Sequence, residues 1–314
     1  MMAATKTGTG ISLAFVCLCL LGVMPIIANS RPDDFGALGF AFFLSIWQLV
    51  FAVPLFVHEI RSDDKGIFTT SLGRRERRRA LMVSLVTGVM FGLSTYLYVL
   101  GVEKAGAVSA AIAIQAYPLF AILWETLFLK RHKTTAELLL TAVLIGALCY
   151  LASGGTGRID GVSPWFFVAL GVPFLWSVAH VLIKEELGRT PITPAQVTFF
   201  RVAVSAAFLV VVLMIAEPAA FSVAIRRLDF QVFAMTMGLV YYVELVVWFY
   251  AVRFIDVSLA SSIATPWPAL TMVLAVVFLG DPVETYQIGA FLVVVASIYG
   301  LTVAGLRKER AQSA

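Results

Sequence analysis

Apolar residues along this chain come in long, nearly unbroken runs, and polar residues collect in the short gaps between them. A helix needs about 17 to 25 apolar residues to cross the hydrocarbon core of a bilayer. Ten such runs are present, at roughly 11–28, 37–58, 80–99, 106–128, 135–152, 162–183, 194–215, 230–252, 257–279 and 285–304. The pattern predicts an all-α integral membrane protein with ten transmembrane helices. An even number of crossings returns both termini to one side. The first run lacks a small-residue cleavage site and precedes nine others, so it reads as the first helix and not as a removable leader. The longest gap, about 59–79, leaves no room for a soluble domain.

Composition agrees with that class. Of 314 residues, 60% are hydrophobic and 13% charged, and the mean hydropathy is +0.93, which a soluble domain of this length could not hide from water. Lys and Arg set the orientation, because positively charged loops are retained in the cytoplasm. With both termini inside, the inner segments carry 17 basic residues and the outer ones five, Arg31, Lys104, Arg158, Arg226 and Arg227. The run RRERRR, Arg74 to Arg79, is the strongest determinant. It reads as a topology and lipid-headgroup signal and not as a nucleic-acid site. Cytoplasmic termini in the inner (plasma) membrane are therefore expected. Cys17, Cys19 and Cys149 all fall within spans and read as packing residues. No metal, cofactor or catalytic motif is visible, and no obligate protein partner is evident.

An internal repeat organises the chain. A shift of 150 residues lays Pro118 on Pro268, Tyr117 on Trp267, Ala110 on Ala260, Tyr98 on Trp248, Gly88 on Gly238, Phe128 on Phe278 and Thr135 on Thr285. Leu21 to Val23 matches Leu170 to Val172 at a shift of 149, and a proline follows each, Pro25 or Pro173. Two five-helix units result, 11–152 and 162–304, between cytoplasmic tails at 1–10 and 305–314. Five is odd, so the second unit is expected to enter the bilayer inverted. That is the architecture of carriers that bind substrate between their halves and rock one half against the other. Pro118, Pro266 and Pro268 fall in the middle of spans four and nine. Each removes a backbone hydrogen bond, which lipid tolerates only where the freed carbonyl faces protein, water or ligand. With Pro25 and Pro173 they are the expected hinge positions. The small residues Ala105, Gly106, Ala107, Ser109, Ala110, Ala111 and Ala113, echoed by Ala260, Ser261, Ser262 and Ala264, predict close helix packing there.

The pattern Tyr98-x7-Gly106-x2-Ser109-Ala110-Ala111-x5-Tyr117-Pro118, echoed from Trp248 through Ser261-Ser262 to Pro268, resembles the EamA-type half of the drug/metabolite transporter superfamily. The segments LFLKRHKTTAE (Leu127 to Glu137) and VFLGDPVETYQ (Val277 to Gln287) resemble it too. The resemblance implies two inverted five-helix halves around a central cavity lined mainly by helices 1, 3, 4, 6, 8 and 9. It also implies transport of amino acids, other metabolites or xenobiotics, often outward. The chain departs from the family pattern in carrying Lys130-Arg131 where a Gly-Glu-like step is usual, and Arg201 in the seventh helix with no counterpart near Phe51.

Ionisable residues inside a span are functional candidates by default. Glu244, Arg201 and His180 qualify, whereas Glu125 sits close to the basic run at Lys130. Arg201 and Glu244 each lie about 12 Å deep at 1.5 Å per residue and could meet, either as a structural pair or as a site. In the second case Glu244 titrates, coupling substrate to protons, or Arg201 receives a substrate carboxylate. Helical spacing places Tyr241, Glu244 and Trp248 on one stripe, Phe91, Ser94 and Tyr98 on the equivalent one, and Pro173, Trp176, Ser177 and His180 on a third. Span nine carries Ser258, Ser261, Thr265 and Pro268 on one stripe. Trp47, Gln115, Tyr117, Trp176, Tyr241, Thr265 and Trp267 are expected near the midplane, about half of them facing the cavity. These residues predict a secondary transporter of amino acids or aromatic, amphipathic metabolites, exporting by alternating access, with small molecules, the lipid bilayer and protons as partners. Import or uncoupled facilitation of the same solutes is the first alternative. An intramembrane enzyme acting on a lipid-linked substrate would need acidic or histidine residues clustered at one face, which the chain lacks.

Overall fold

The structure is a computed structural model that describes residues 2–32, 34–61, 66–68, 73–117, 119–120, 123–124, 134–158, 162–255, 260 and 263–313. Pro118, Glu125, Ser258, Ser261 and Ser262 lie outside the described residues. Among those described there are helices and no strands. The elements are α1 (Met2–Asn29), α2 (Ala37–Arg61), a 3-10 turn (Gly66–Phe68), α3 (Arg74–Ala105), α4 (Ala107–Ile114), α5 (Thr135–Ala152), α6 (Pro164–Arg189), α7 (Pro194–Ala216), the short α8 (Pro218–Ala224), α9 (Leu228–Phe254), α10 (Trp267–Leu274) and α11 (Thr285–Ser313). Residues 2–10 and 305–313, expected as tails, continue α1 and α11.

Local chemistry sets several of these ends. Thr134 caps α5 by accepting a hydrogen bond from the Glu137 backbone N–H at 3.2 Å, while the Glu137 carboxylate accepts one from the Thr134 N–H at 2.7 Å, a reciprocal capping box. Thr193 and Gln196 repeat that box at the start of α7, with Pro194 in the first turn, where its missing N–H costs nothing. The fully buried Gln196 does a second job. Its side-chain oxygen accepts from the Ile67 N–H at 3.0 Å and so ties the 3-10 turn to α7.

Among the described residues, eight helices are long and apolar enough to span a membrane, against the ten spans expected, the fourth and ninth of them with helix-breaking prolines at mid-span. The missing two are the fourth and ninth, and both are broken. Helix α4 ends in a turn at 115–116, and α10 begins only after a turn at 265–266. These turns stand 150 residues apart, at equivalent places in the repeat. Gln115 (φ −66°, ψ −2°) and Pro266 (φ −79°, ψ 12°) share the same tightened backbone. Beyond α10 the chain widens into a π-helical segment, Ala275–Leu279. Pro25 and Pro173 sit inside continuous helices instead, so their effect is confined to the local backbone bonding.

Packing follows the repeat as well. Helix α3 packs on α6 and α7, as its counterpart α9 packs on α1 and α2. The pairs α2–α7 and α5–α11 join equivalent helices, and α4–α6 answers α1–α10. Exchanging the halves therefore leaves the main packing pairs unchanged. Two glycines permit the tightest crossings. A Cβ on Gly88 would stand 2.5 Å from Val204 Cβ and 3.2 Å from the Arg201 carbonyl, and one on Gly238 would stand 2.8 Å from Trp47 Cβ and 2.7 Å from the Leu44 carbonyl. Apolar side chains such as Leu139, Ile215, Leu228 and Phe278 remain exposed around the bundle. Between helices already in lipid, close packing of this kind supplies the adhesion that water exclusion supplies in a soluble core.

Candidate functional site

Four helices, α3, α6, α7 and α9, bring polar side chains to one buried cluster near the middle of their lengths. Arg201 of α7, 3% exposed, lays its guanidinium over the Phe91 ring at 3.7 Å. Its guanidinium carbon also stands 5.9 Å from the centroid of the Tyr241 ring of α9, with Tyr241 in electrostatic reach. Tyr241 is close to Thr95, whose hydroxyl donates to the Phe91 carbonyl at 2.8 Å. From α6, the Trp176 indole N–H donates to Ser94 Oγ at 3.0 Å, and Ser94 donates to the Phe91 carbonyl at 3.0 Å. His180, one turn beyond Trp176, packs 5.6 Å from the Phe91 ring and 5.8 Å from that of Tyr117. Ser205, one turn beyond Arg201, donates to the Gly88 carbonyl at 2.7 Å and fixes α7 against α3.

Glu244 lies one turn from Tyr241, 7% exposed. Arg201, Tyr241 and Tyr98 are within its electrostatic reach, but among the described residues it forms no ion pair with Arg201. The guanidinium packs instead on the Phe91 face, with the Tyr241 ring nearby. The Cys17 thiol of α1 donates to the Glu244 backbone carbonyl at 3.7 Å, which seats α1 against this turn of α9.

Of the residues singled out from sequence, Tyr98, Tyr117, Trp176, His180, Arg201, Tyr241 and Glu244 meet in this cluster. Others do not. Trp47 donates its indole N–H to Gln231 at 2.8 Å and packs against Gly238, on the α2–α9 crossing. Trp248 packs with Ala14, Ile255 and Ala260 at the far end of α9. Gln115 and Thr265 are buried at the two helix breaks, and Trp267 lies in the main apolar core. Sequence reasoning passed over Thr95 and Ser205, which look like ordinary small polar residues of a membrane helix. The spacing of Thr95 from Phe91 and of Ser205 from Arg201, four residues in each case, was the available signal.

A family model described as the EamA-like transporter family matches residues 8–153 and again 163–303. The chain belongs to the EamA-like transporter family. Two separate matches to one model agree with the exchange of packing pairs between halves, each match taking in one set of helices. A solved crystal structure described only as that of a protein superposes on this EamA-like chain with a TM-score of 0.64 at 13% identity, covering 94% of this chain and 98% of its own. At that identity the likeness concerns the fold. No curated protein matches the chain. As an EamA-like protein it is a multi-pass membrane protein of a transporter family, and in that setting a buried polar cluster between the halves is the first place to look for substrate.

Proposed function

We propose that the protein is a secondary transporter that moves small organic metabolites, amino acids or aromatic, amphipathic solutes, outward across the cell inner membrane by alternating access. The observation that carries this reading is the cluster around Arg201, Tyr241 and Glu244. An arginine and a glutamate buried inside an apolar bundle, without pairing to each other, are costly in lipid. A structural role would have joined them.

Further features support the cycle. The main packing pairs survive exchange of the halves, as two inverted five-helix units would give, with the broken segments at 115–116 and 265–266 as their fourth and ninth crossings. Aromatic groups close both ends of the α2–α7 seam. Phe56 stacks on Phe199 at 3.8 Å and 5°, with Phe68 and Phe200 beside them. Phe42 and Phe43, which precede Phe199 and Phe200 by 157 residues, pack instead on Phe221, with Phe230 beside Phe43. In the proposed cycle each group parts in turn. The distribution of basic residues over the segments between spans and the tails, 17 against five, supports a cytoplasmic side for both termini.

The test is uptake of a panel of radiolabelled amino acids and aromatic metabolites into proteoliposomes, with and without a pH gradient, for wild type and Glu244→Gln. Saturable uptake accelerated by the gradient and lost in the mutant is expected. Uptake indifferent to both makes Glu244 structural and the protein a facilitator. Absence of uptake for every solute refutes the transport reading.

A further inference from the structure

Two buried side chains of the cluster hold hydrogen-bonding capacity that no protein group fills. Among the described residues, Nε and Nη1 of Arg201 and the hydroxyl of Tyr98 are buried without a partner. Buried polar groups in native structures are almost always satisfied, and a charged one left open is the costliest exception. The arginine is confined, with the Phe91 face 3.7 Å beneath it and the Tyr241 ring centroid 5.9 Å away. Glu244 stays within electrostatic reach without bonding to it. His180 and Tyr241 are also in reach. The result is a cation held still, with donors presented and no anion bonded to them.

Resting on the transporter reading, we propose that Arg201 anchors the carboxylate of a small solute whose apolar or aromatic body lies among Phe91, Trp176 and Tyr241, with the Tyr98 hydroxyl as a second donor. A carboxylate suits the site better than a phosphate does. One guanidinium balances a single negative charge, and a dianion would face Glu244 with no second Lys or Arg in the cluster among the described residues. Aromatic walls then select the rest of the solute by area and shape. Plain organic acids and α-amino acids share this carboxylate. In the amino acid, the ammonium group is the natural partner for Glu244.

Four probes with one phenyl body separate these cases: 3-phenylpropionate, phenylalanine, phenethylamine and 3-phenylpropionamide. Each is titrated into the purified protein in nanodiscs, with binding followed by intrinsic tryptophan fluorescence. The amine and the amide are expected to bind at least tenfold more weakly than the better of the two carboxylates. Arg201→Gln lowers carboxylate affinity at least tenfold. Tyr98→Phe, which removes only an unpartnered hydroxyl, lowers it several-fold with thermal unfolding unchanged, so the assignment stays testable even if the arginine variant folds poorly. Phenylalanine binding more tightly than 3-phenylpropionate, with the advantage lost in Glu244→Gln, identifies a zwitterion site; the reverse order identifies a site for plain acids. Equal binding of acid and amide, carboxylate affinity unchanged in both variants, or no binding of either carboxylate overturns the assignment. Liposome uptake with no preference for carboxylates leaves transport standing while this assignment fails.

Discussion

The two halves of the bundle use one backbone geometry for two chemistries. At Gly88, α3 approaches α7 at Arg201 and Val204; at Gly238, α9 approaches α2 at Leu44 and Trp47. Val204 and Trp47 are 157 residues apart, as are Arg201 and Leu44, so the same places on the crossing carry a cation in one half and a leucine in the other. Ser94 likewise answers Glu244 at the 150-residue shift, and Phe91 answers Tyr241. What repeats is the way the helices cross. The ionisable side chains Arg201 and Glu244 have no charged counterparts, and the proposed site rests on that asymmetry.

The comparison breaks most completely if its shared geometry is removed. Gly238→Val puts a branched side chain 2.7 Å from a backbone oxygen, which no rotamer relieves. Gly88→Val meets the root of Val204. Overpacking of this kind costs about 1 to 3 kcal/mol and sometimes more, and loss of folded protein is expected for both variants by size-exclusion chromatography in detergent. Gly146→Val and Gly289→Val, where a Cβ meets nothing within 4 Å, leave the profile unchanged. If Gly88→Val folds normally while Gly238→Val does not, the halves are not packed alike.

Copying one half's chemistry into the other sharpens the contrast. Arg201→Leu gives the second half the residue of the first and is expected to abolish uptake, at least tenfold, in proteoliposomes. It also leaves Glu244 buried without a compensating charge, so the melting temperature falls. Adding Glu244→Ser, the residue found at position 94, restores the melting temperature and does not restore uptake. Recovery of both would make the pair structural.

Much of this was legible in the sequence, for reasons of length and spacing. Apolar runs report membrane crossings whatever their partners are, and prolines and glycines punctuate the repeat. The 150-residue shift correctly aligned Gly88 with Gly238. It misaligned α2 with α7, setting Arg201 opposite Phe51 where the structure sets it opposite Leu44. The seven-residue slip is close to two full helical turns, so it returns each side chain to nearly the same face. In helices where almost every residue is apolar, such a slip costs a sequence comparison nothing. Only the backbone contacts at the two glycines fix the register. Trp47 shows the complementary limit. Its depth along α2 was readable, but its direction was not, and its indole is committed to Gln231. The interruption of α4 and α10 was signalled by prolines, yet the position of the turn two to three residues before Pro118 and Pro268 depends on backbone geometry that composition does not encode.

Arg31 offers a smaller effect and a second contrast. This arginine, as buried as Arg201, donates to the Ala28 carbonyl at 2.7 Å, to the Phe35 carbonyl at 3.2 Å and to Glu103. Its donors are occupied, so it staples the end of α1 to α3 and the following turn. Arg31→Gln should cost about 2 kcal/mol, the range for hydrogen bonds to charged groups, seen as a lower melting temperature in detergent. Uptake per folded molecule should not change. A carboxylate-binding defect in this variant would erase the distinction between a satisfied and an unsatisfied buried arginine.

The mildest test concerns Trp176. Its indole N–H is bonded to Ser94, the residue that occupies Glu244's place in the first half, and Ser94 passes the chain of hydrogen bonds to the carbonyl of Phe91, beneath Arg201. Trp176→Phe keeps an aromatic wall and deletes only the donor. A net loss of about 1 kcal/mol is expected for one neutral hydrogen bond, which is roughly fivefold in solute affinity if the bond orients the ring in the site. Trp47→Phe removes a hydrogen bond of similar length, 2.8 Å to Gln231, on the α2–α9 crossing away from the cluster. The two substitutions delete the same kind of bond, an indole donor to a side-chain oxygen on a neighbouring helix, and keep an aromatic ring. They should therefore lower thermal stability alike and differ in fluorescence-detected affinity alone, with Trp47→Phe binding as wild type does. Equal losses of affinity would mean that the indoles act through helix packing, and that the binding asymmetry between the halves does not extend to their aromatic walls.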